Sequence, residues 1–395
     1  MGEPIRVLVL DQAVGVWGAQ RYVLRLAPLL RERGVELTLG VPRSLEVYEV
    51  WRKTGFPVID LDLPIYRSIR NAGRPSAWGI GREAWSGLRT VRLIANELRR
   101  TDYDAVWSNA HWLHLEASLA GIICKKPAVL HLHEESMPGL ATRLRASAVR
   151  LAARSVSVSK AVATGLPASV RDRVSVIPNG VDVEANSPEQ AGDHTESRQL
   201  RATFGIGTDD VMVLAGTRLD PDKRVEDLIQ AIQKIDDARV RLVVAGVTSR
   251  FPDYERAVRA EGAALPSGRV TFCGNRDDMS ALLRASDLFV HAGVVEGMPL
   301  GMLEAQSCAK PVVGYRVAGV PEAVIDGTTG LLAAAGDVHG LCTALDRLVH
   351  DPGLRAQMGS AARSHVLANY NIETQATRNA KVLTDLRGQR GRVTG

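Results

Sequence analysis

Two glutamates bracket the segment EGMPLGMLE, which directly follows the apolar strand pattern SDLFVHAG. Pro299 suits the first turn of a helix, where its missing N–H costs nothing, so the pattern predicts Glu296 in the preceding loop and Glu304 within the helix. The backbone amides of residues 297–301 would then point out of the helix N-terminus, which favours phosphate. An anion site between two hydroxyl-binding carboxylates suits a nucleotide sugar. The helix macrodipole alone also favours acidic residues near a helix start.

A second candidate is the run HLHEE, which closes the strand pattern AVLHLH. Alternation along a strand places His131 and His133 on the same face, with His133 at the strand exit. A zinc site would need two more ligands, and the sequence offers no clear third and fourth ligand nearby. We therefore expect no metal, while a histidine without a functional role stays open as an alternative.

Two loops that follow strand patterns are further candidates. The loop DQAVGVWG at residues 11–18 joins the first strand to the first helix, and a glycine there, Gly18, lets backbone amides approach a phosphate or an acceptor. The loop GTRLDPDKR at residues 216–224 holds the corresponding place in the second half and carries Arg218 and Lys223. The same loop also fits a capped helix start with two exposed cations.

Parallel sheets must position these loops, and the chain predicts two of them. Strand patterns alternate with helical patterns, which is typical of a doubly wound α/β sheet. The predicted strands lie at residues 5–10, 35–41, 105–107, 128–131 and 155–159 in the first half, and at 211–215, 240–245, 270–272, 288–291 and 311–314 in the second. In such sheets ligands bind beyond the carboxyl ends of the strands, where all of these candidate loops lie.

The length of 395 residues is too great for one ordinary core and predicts two domains. The first covers 1–182. The polar stretch EANSPEQAGDHTESR predicts a linker over 183–199, a second domain follows over 200–367, and a helical terminal segment with a basic tail covers 368–395. Four cysteines without C-x-x-C spacing indicate neither a disulfide framework nor a zinc site. No apolar run reaches the roughly 20 residues of a membrane span, and no signal peptide is evident, so we expect a cytoplasmic protein.

Positive charge is concentrated in the first half of the chain. Residues 1–182 hold 25 Lys and Arg against 17 Asp and Glu, although the whole chain has a net charge of only +5. Within it, residues 65–100 carry eight Arg against two Glu, interleaved with Tyr66, Trp78 and Trp85. This composition could contact an anionic membrane surface at the inner face of the membrane, or a pyrophosphate-bearing acceptor, or could be a solvated Arg-rich surface. No recognition motif accompanies the charge, so we expect no nucleic acid.

The ordered set of motifs resembles glycosyltransferase family 4, whose members are retaining enzymes of GT-B architecture. The set runs from the first Gly loop through HLHEE, IPNGVD, GTRLDPDKR, FCGNRDD and EGMPLGMLE to GVPEAVIDGTTGLL. In the first loop Trp17 stands where the family usually has a second glycine. The resemblance implies two doubly wound Rossmann-like domains with an interdomain cleft, in which the N-terminal domain binds the acceptor and the C-terminal domain binds the donor. It also implies that the last helix crosses back to the first domain.

The resemblance assigns roles to individual residues. Arg218 and Lys223 match the cations that hold the donor diphosphate, Glu304 would bind ribose hydroxyls, and Glu296 would hold sugar hydroxyls. His133 matches a histidine that approaches the donor sugar and β-phosphate. The implied catalytic residues are His133, Arg218, Lys223 and Glu296. The implied donor-binding residues are Gly18, Gly216, Arg218, Lys223, Asn275, Arg276, Glu296, Gly297, Met298, Pro299, Leu300 and Glu304.

The function implied is that of a metal-independent retaining glycosyltransferase without a cofactor. It would move a hexose-type sugar from a nucleoside diphosphate sugar, expected to be UDP-linked, to a hydroxyl on a glycan, a lipid-linked molecule or a small molecule. We expect a role in cell-envelope or exopolysaccharide assembly. Glycosylation of a natural product, a nucleotide-sugar epimerase of the same architecture and a non-catalytic binding module are the alternatives.

Overall fold

The computed structural model describes residues 3–65, 70–71, 74–75, 77–135, 139–189, 194–248 and 250–386. The chain forms two compact units. Unit 1 combines Met1–Pro178 with Glu373–Gly395, and unit 2 spans Asn179–Ile372. The boundaries that the sequence suggests, at residues 182 and 367, lie four and five residues from these divisions.

Unit 1 is built on a parallel sheet. Its strands are β1 (Ile5–Leu10), β2 (Val35–Val41), β3 (Val58–Asp60), β6 (Ala105–Ser108), β7 (Ala128–Leu132), β8 (Arg154–Ser157) and β9 (Val174–Val176), and a separate antiparallel pair is formed by β4 (Arg70–Asn71) and β5 (Arg74–Pro75). Its helices before residue 178 are α1 (Gly18–Glu32), α2 (Glu46–Lys53), α3 (Ala77–Arg100), α4 (His114–Cys124), α5 (Leu140–Leu151), α6 (Lys160–Thr164) and α7 (Ala168–Arg171), with a 3-10 helix at His111–Leu113.

The strand order in unit 1 is β3-β2-β1-β6-β7-β8-β9. Every residue of β6 and β7 is buried, as expected for parallel strands covered by helices on both faces. The order reverses direction between β1 and β6, and such a switch point opens a crevice at the carboxyl ends of the strands. The loop after β1 and the residues after β6 and β7 therefore meet at one edge of the sheet.

Unit 2 repeats this architecture with six parallel strands. They are β10 (Val211–Gly216), β11 (Val240–Ala245), β12 (Val270–Gly274), β13 (Leu288–His291), β14 (Val312–Tyr315) and β15 (Gly330–Ala333). The helices are α8 (Thr195–Thr203), α9 (Val225–Lys234), α10 (Pro252–Ala263), α11 (Met279–Ala285), α12 (Leu300–Ser307), α13 (Val320–Ala323), α14 (Val338–His350) and α15 (Pro352–Asn369), with a 3-10 helix at Pro221–Lys223. The order β12-β11-β10-β13-β14-β15 places the switch point between β10 and β13.

The prediction of two doubly wound α/β units is confirmed, but two segments differ from expectation. Helix α8 begins at Thr195, within the stretch expected to be a linker, and packs against α11 in unit 2. Arg201, 9% exposed, anchors α8 by donating to the carbonyls of Ala285, Gly207 and Asp210. Helix α8 is therefore held by a buried guanidinium that lies just beyond the polar stretch.

The second difference concerns the terminal helix. Helix α15 ends at Asn369, inside the expected terminal segment, and after a break a final helix follows, α16 (Ile372–Thr384). The break is fixed by Val181, whose N–H donates to the carbonyl of Tyr370 at 2.8 Å and whose carbonyl accepts from Ile372 at 3.0 Å. Helix α16 belongs to unit 1, where Asn379 donates to the Tyr22 hydroxyl. The basic tail at 387–395 lies outside the described residues. No described helix is both long and apolar enough to span a membrane.

Candidate functional site

The carboxylate of Glu296 is the centre of a charged cluster at the switch point of unit 2. Its Oε1 accepts from Lys223 Nζ at 2.7 Å and lies 2.7 Å from His291 Nε2. Lys223 ends the 3-10 helix that follows β10, and His291 is the last residue of β13, so the two strands flanking the switch point deliver both partners. The side chains of Glu296 and Lys223 are each 12% exposed.

The electrostatics of this cluster favour both charged forms. Burial would raise the pKa of Glu296, but Lys223 and His291 outweigh it and hold that pKa at about 2. Burial would likewise lower the pKa of Lys223, but Glu296 and Asp222 raise it above its ordinary value. A lysine and a glutamate thus remain ionised while largely removed from water.

Gly293 makes room for the pairing of His291 with Glu296. A Cβ at this position would lie 2.5 Å from His291 Nε2 and 2.7 Å from Glu296 Oε1. Both distances are far below van der Waals contact, so any larger residue would separate the pair. The small residue at position 293 therefore allows the imidazole of His291 to contact the carboxylate of Glu296.

The second predicted cation, Arg218, lies on the same loop and is held by two aspartates. Its guanidinium is 3.1 Å from Asp220 and 3.6 Å from Asp222. Asp220 is itself 3% exposed in its side chain and accepts from Thr248 Oγ1 at 2.7 Å. Lys223 Nζ is 3.2 Å from Asp222, so this aspartate joins Arg218 and Lys223 into one charged surface.

Helix α12 begins beside this cluster, as predicted. Pro299 is its N-cap with an extended backbone, and Leu300 is the first helical residue. Gly301 packs closely against the ring of Phe289 in β13, because a Cβ there would approach that ring to 3.2 Å. The carbonyl of Met298 accepts from Asn179 at 3.1 Å, which fixes the turn at Gly297–Met298. The first amides of a helix lack intrahelical partners and can receive an anion.

The remaining predicted residues of unit 2 lie in their expected elements. Glu304 is in α12, one turn beyond Leu300. Gly216 ends β10, and its carbonyl lies near Gly301. Asn275 and Arg276 follow β12 at the sheet edge, where Arg276 forms a bidentate pair with Asp278 at 2.8 and 2.5 Å.

Unit 1 contains a hydrogen-bonded chain that ends on His133. The Asp11 carboxylate accepts from Asn109 Nδ2 at 2.6 Å and from Gln20 Nε2 at 3.0 Å, and His133 Nε2 lies 2.7 Å from Asn109 Oδ1. An ionised carboxylate only accepts, so the Asn109 amide must donate to Asp11 and present its oxygen to the imidazole. His133 therefore carries its proton on Nε2 and keeps a lone pair on Nδ1.

Burial lowers the pKa of His133 to about 4, so the imidazole is neutral at pH 7. The neighbouring amide of Gln12 is 4% exposed, and neither its nitrogen nor its oxygen has a hydrogen-bond partner among the described residues. A buried amide without a protein partner is ordinarily satisfied by an ordered water or by a ligand. Gly18 starts α1, with Trp17 as N-cap, so it lies in the first helical turn and not in the preceding loop.

Sequence reasoning missed His291, Gly293, Asp11 and Asn109. His291 is hidden in a continuous apolar strand pattern, and Asp11 and Asn109 are joined across 98 residues of chain. A polar residue at the carboxyl end of a buried strand was the available signal in three of the four cases. Within the described ranges, no three His, Cys, Asp or Glu side chains come together as metal ligands would.

Comparisons with known proteins follow the same division of the chain. A model described as Glycosyltransferase Family 4 matches residues 16–185, and one described as Glycosyl transferases group 1 matches residues 196–365. N-acetyl-alpha-D-glucosaminyl L-malate synthase of Bacillus anthracis is 32% identical over 178 residues, 44% of this chain and 45% of that protein. The chain spans about half the length of the curated relatives it matches at more than 30% identity.

Longer matches occur at lower identity. GDP-mannose-dependent alpha-(1-6)-phosphatidylinositol monomannoside mannosyltransferase of Mycolicibacterium smegmatis is 28% identical over 348 residues, covering 78% of this chain and 87% of that protein. The crystal structure of Anabaena Alr3699/HepE in complex with UDP and glucose superposes with a TM-score of 0.80 at 22% identity, covering 96% of this chain and 100% of that one. This likeness confirms the fold.

Proposed function

The chain belongs to glycosyltransferase family 4 and has the GT-B fold, and from this premise we propose that it transfers a sugar from a nucleoside diphosphate sugar to a hydroxyl acceptor. The observation that carries the proposal is the cluster of Lys223, Glu296 and His291 at the switch point of unit 2, beside the N-terminus of α12. Cations, a carboxylate and helix amides within one loop pair are what a diphosphate joined to a sugar requires.

In this proposal different residues bind different parts of the donor. Lys223 and Arg218 bind the diphosphate and stabilise the negative charge that grows on it as the glycosidic bond breaks. Glu296 accepts hydrogen bonds from sugar hydroxyls, and Glu304 accepts them from the ribose. Lys223 Nζ has three hydrogens, and it contacts Glu296 at 2.7 Å, the carbonyl of Val295 at 3.2 Å and Asp222 at 3.2 Å. Phosphate would replace one of the two longer contacts, while the bond to Glu296 is kept. Neither glutamate needs to move a proton.

We further propose that unit 1 receives the acceptor near His133 and Gln12, and that transfer proceeds with retention and without a metal. A neutral imidazole with a lone pair on Nδ1 can accept a hydrogen bond from a hydroxyl. In a retaining transfer of this kind the departing phosphate oxygen takes the acceptor proton, so the chain needs no separate base.

A hexose-type sugar on UDP, used in cell-envelope or exopolysaccharide assembly, is the donor and role that we propose. A second candidate is GDP-mannose with a phosphoinositol acceptor. The GDP-mannose-dependent mannosyltransferase of Mycolicibacterium smegmatis favours this donor. D-inositol 3-phosphate glycosyltransferase of Xylanimonas cellulosilytica, 26% identical over 380 residues, favours this class of acceptor. The UDP complexes of the Anabaena neighbour favour the first.

A nucleotide panel tests both. Purified protein is heated with UDP, GDP, ADP or dTDP, and a nucleotide at about 100 times its dissociation constant should stabilise the protein by roughly 2.7 kcal/mol. The preferred base then selects the sugars for a transfer assay that measures nucleotide release with and without acceptor. The variant Lys223→Ala tests the donor site, and Lys234→Ala, an exposed change on α9, is its matched control. No shift with any nucleotide would overturn the donor site, and formation of an epimeric nucleotide sugar without an acceptor would indicate an epimerase instead.

A further inference from the structure

The outer side of three neighbouring helices in unit 1 is unusually apolar. We call this surface the three-helix face: the exposed side chains of α3, of the 3-10 helix at His111–Leu113 with α4, and of α5. Helix α4 packs against α3 on one side and α5 on the other. Eleven of the seventeen large exposed hydrophobic side chains among the described residues lie here: Trp78, Ile80, Trp85, Leu88, Trp112, Leu119, Ile122, Ile123, Leu140, Leu144 and Leu151.

The outward-facing side chains of α4, the central helix, are the most uniformly apolar. From residue 112 to residue 123 every exposed side chain is apolar, with Trp112, Leu119, Ile122 and Ile123 spaced along one side. A surface helix ordinarily directs polar residues outward. On α3, Trp78 and Trp85 are 66% and 65% exposed. Single exposed hydrophobic residues are common on monomeric proteins, but a contiguous exposed group of them marks an interaction surface.

The exposed charged residues of these helices are all cationic. Arg82, Arg89, Arg92, Arg99 and Arg100 on α3 and Arg143 and Arg150 on α5 are exposed. The acidic residues of the same helices are largely covered, since the side chains of Glu83 and Glu97 are 13% and 7% exposed and Glu116 is 5% exposed. Asp62, from the loop after β3, pairs with Arg89. An apolar surface bordered by arginines is complementary to lipid with anionic headgroups.

The position of the three-helix face relative to the carboxyl edge of the sheet follows from how α3 and α4 are aligned. Both α3 and α4 lead into parallel strands of one sheet, so they run in the same direction, and Cys124 Sγ donates to the carbonyl of Ala95 at 3.4 Å. Counting back from that contact places Trp85 level with the first turn of α4, and Trp78 about 10 Å further along. The first turn of α4 follows Asn109 at the carboxyl edge of the sheet. The three-helix face therefore borders the edge that carries His133.

We propose that the three-helix face docks unit 1 on an anionic lipid bilayer, with the indole rings of Trp78 and Trp85 at the headgroup level. Indole has an apolar body and a polar N–H, which suits the membrane interface. A second copy of this chain is a poorer occupant, because pairing two such faces would bring their arginines together. The contact is peripheral, as none of the described helices spans a bilayer.

Co-sedimentation of the full chain with vesicles tests this proposal. The vesicles are phosphatidylcholine alone, or phosphatidylcholine with about 30% phosphatidylglycerol as the anionic lipid. Each cation near an anionic surface contributes roughly a fivefold gain in partition. We therefore expect the wild type to bind the anionic vesicles at least tenfold more strongly, and to release them at high salt.

Two double variants examine the two components of the surface. Trp78→Ser with Trp85→Ser removes the apolar anchors, and Arg92→Glu with Arg99→Glu reverses two charges; each should lower partition at least tenfold. Leu367→Ser and Arg347→Glu, exposed positions of unit 2, are matched controls that should bind within twofold of wild type. Thermal unfolding of every variant confirms folding.

The outcomes are distinct. Wild type that stays in solution with anionic vesicles overturns the proposal, as do face variants that sediment like the controls. A dimer in light scattering that the tryptophan variant dissociates, without vesicle binding, would identify a second copy as the occupant and also overturn it. Vesicle binding is measured without donor or acceptor, so the result is independent of the proposed transfer reaction.

Discussion

Glu296 should make the stability of unit 2 depend on pH, and substitution of this one residue should remove that dependence. The folded pKa of about 2 lies roughly 2.5 units below the ordinary glutamate value of 4.5, because Lys223 and His291 overcome the cost of burial. At about 1.36 kcal/mol per unit, the ionised carboxylate contributes about 3 kcal/mol to the free energy of unfolding. Since the folded pKa is depressed, this contribution is complete above pH 4.5 and declines as the pH falls toward 2.

Glu296→Gln keeps the shape of the side chain and removes its charge. We expect the variant to lose about 3 kcal/mol of unfolding free energy at pH 7, with the difference from wild type shrinking steadily below pH 4.5. Urea unfolding followed by circular dichroism measures this. All six tryptophans lie between residues 17 and 112, in unit 1, so their fluorescence follows unit 1 as an internal reference.

The matched control is Glu196→Gln, which removes an exposed glutamate paired with Arg284 at 3.1 Å in the same unit. An exposed pair contributes about 0–1 kcal/mol, so this variant should differ little from wild type. Equal stability of Glu296→Gln and wild type at pH 7 would refute the reasoning. A deficit that stays constant from pH 7 to pH 3 would do so as well, because it would come from packing and not from ionisation.

Three further predictions rest on contacts described above. Gly293→Ala should destabilise unit 2 by about 1–3 kcal/mol in urea unfolding by separating His291 from Glu296, whereas Gly207→Ala, whose Cβ meets only an ordinary contact, should not. Asn109→Asp should raise the pKa of His133 from about 4 by roughly one unit or more, because it places a carboxylate beside the imidazole; NMR titration would show this, and an unchanged midpoint would contradict it. Lys223→Ala should lower kcat by about 10²–10³, while Glu304→Ala should chiefly raise KM for the donor by about tenfold; identical kinetics for both would refute their separate roles.

The parts of the site that lie close together in sequence were predictable. Pro299 marked the helix start, so Glu296 in a loop and Glu304 in α12 followed from local rules. His291 was not predictable in the same way, because its role depends on strand order: β13 lies beside β10, which brings residue 291 to a loop that ends near residue 223. Periodicity identifies strands but carries no information about which strands become neighbours.

The same limit applies to unit 1 and to helix α8. Hydrogen bonds link Asp11 to Asn109 and Asn109 to His133, and these residues follow three strands that only the folded sheet brings together. Arg201 stabilises α8 through three backbone carbonyls, a role that composition cannot show because arginine is ordinarily exposed. Local chemistry was visible in the sequence, whereas long-range partners required the topology.

The return of the chain to unit 1 at Glu373 has a consequence for synthesis on the ribosome. Helix α16 supplies buried residues to unit 1, among them Gln375, Ala376 and Asn379, yet it is made after the whole of unit 2. At about 5–20 residues per second, the roughly 200 intervening residues delay it by about 10–40 s. During that interval unit 1 waits with the surface for α16 uncovered, while unit 2 can already fold. The first unit to begin is therefore the last to be completed, and nascent chains truncated before residue 373 should expose it to chaperones.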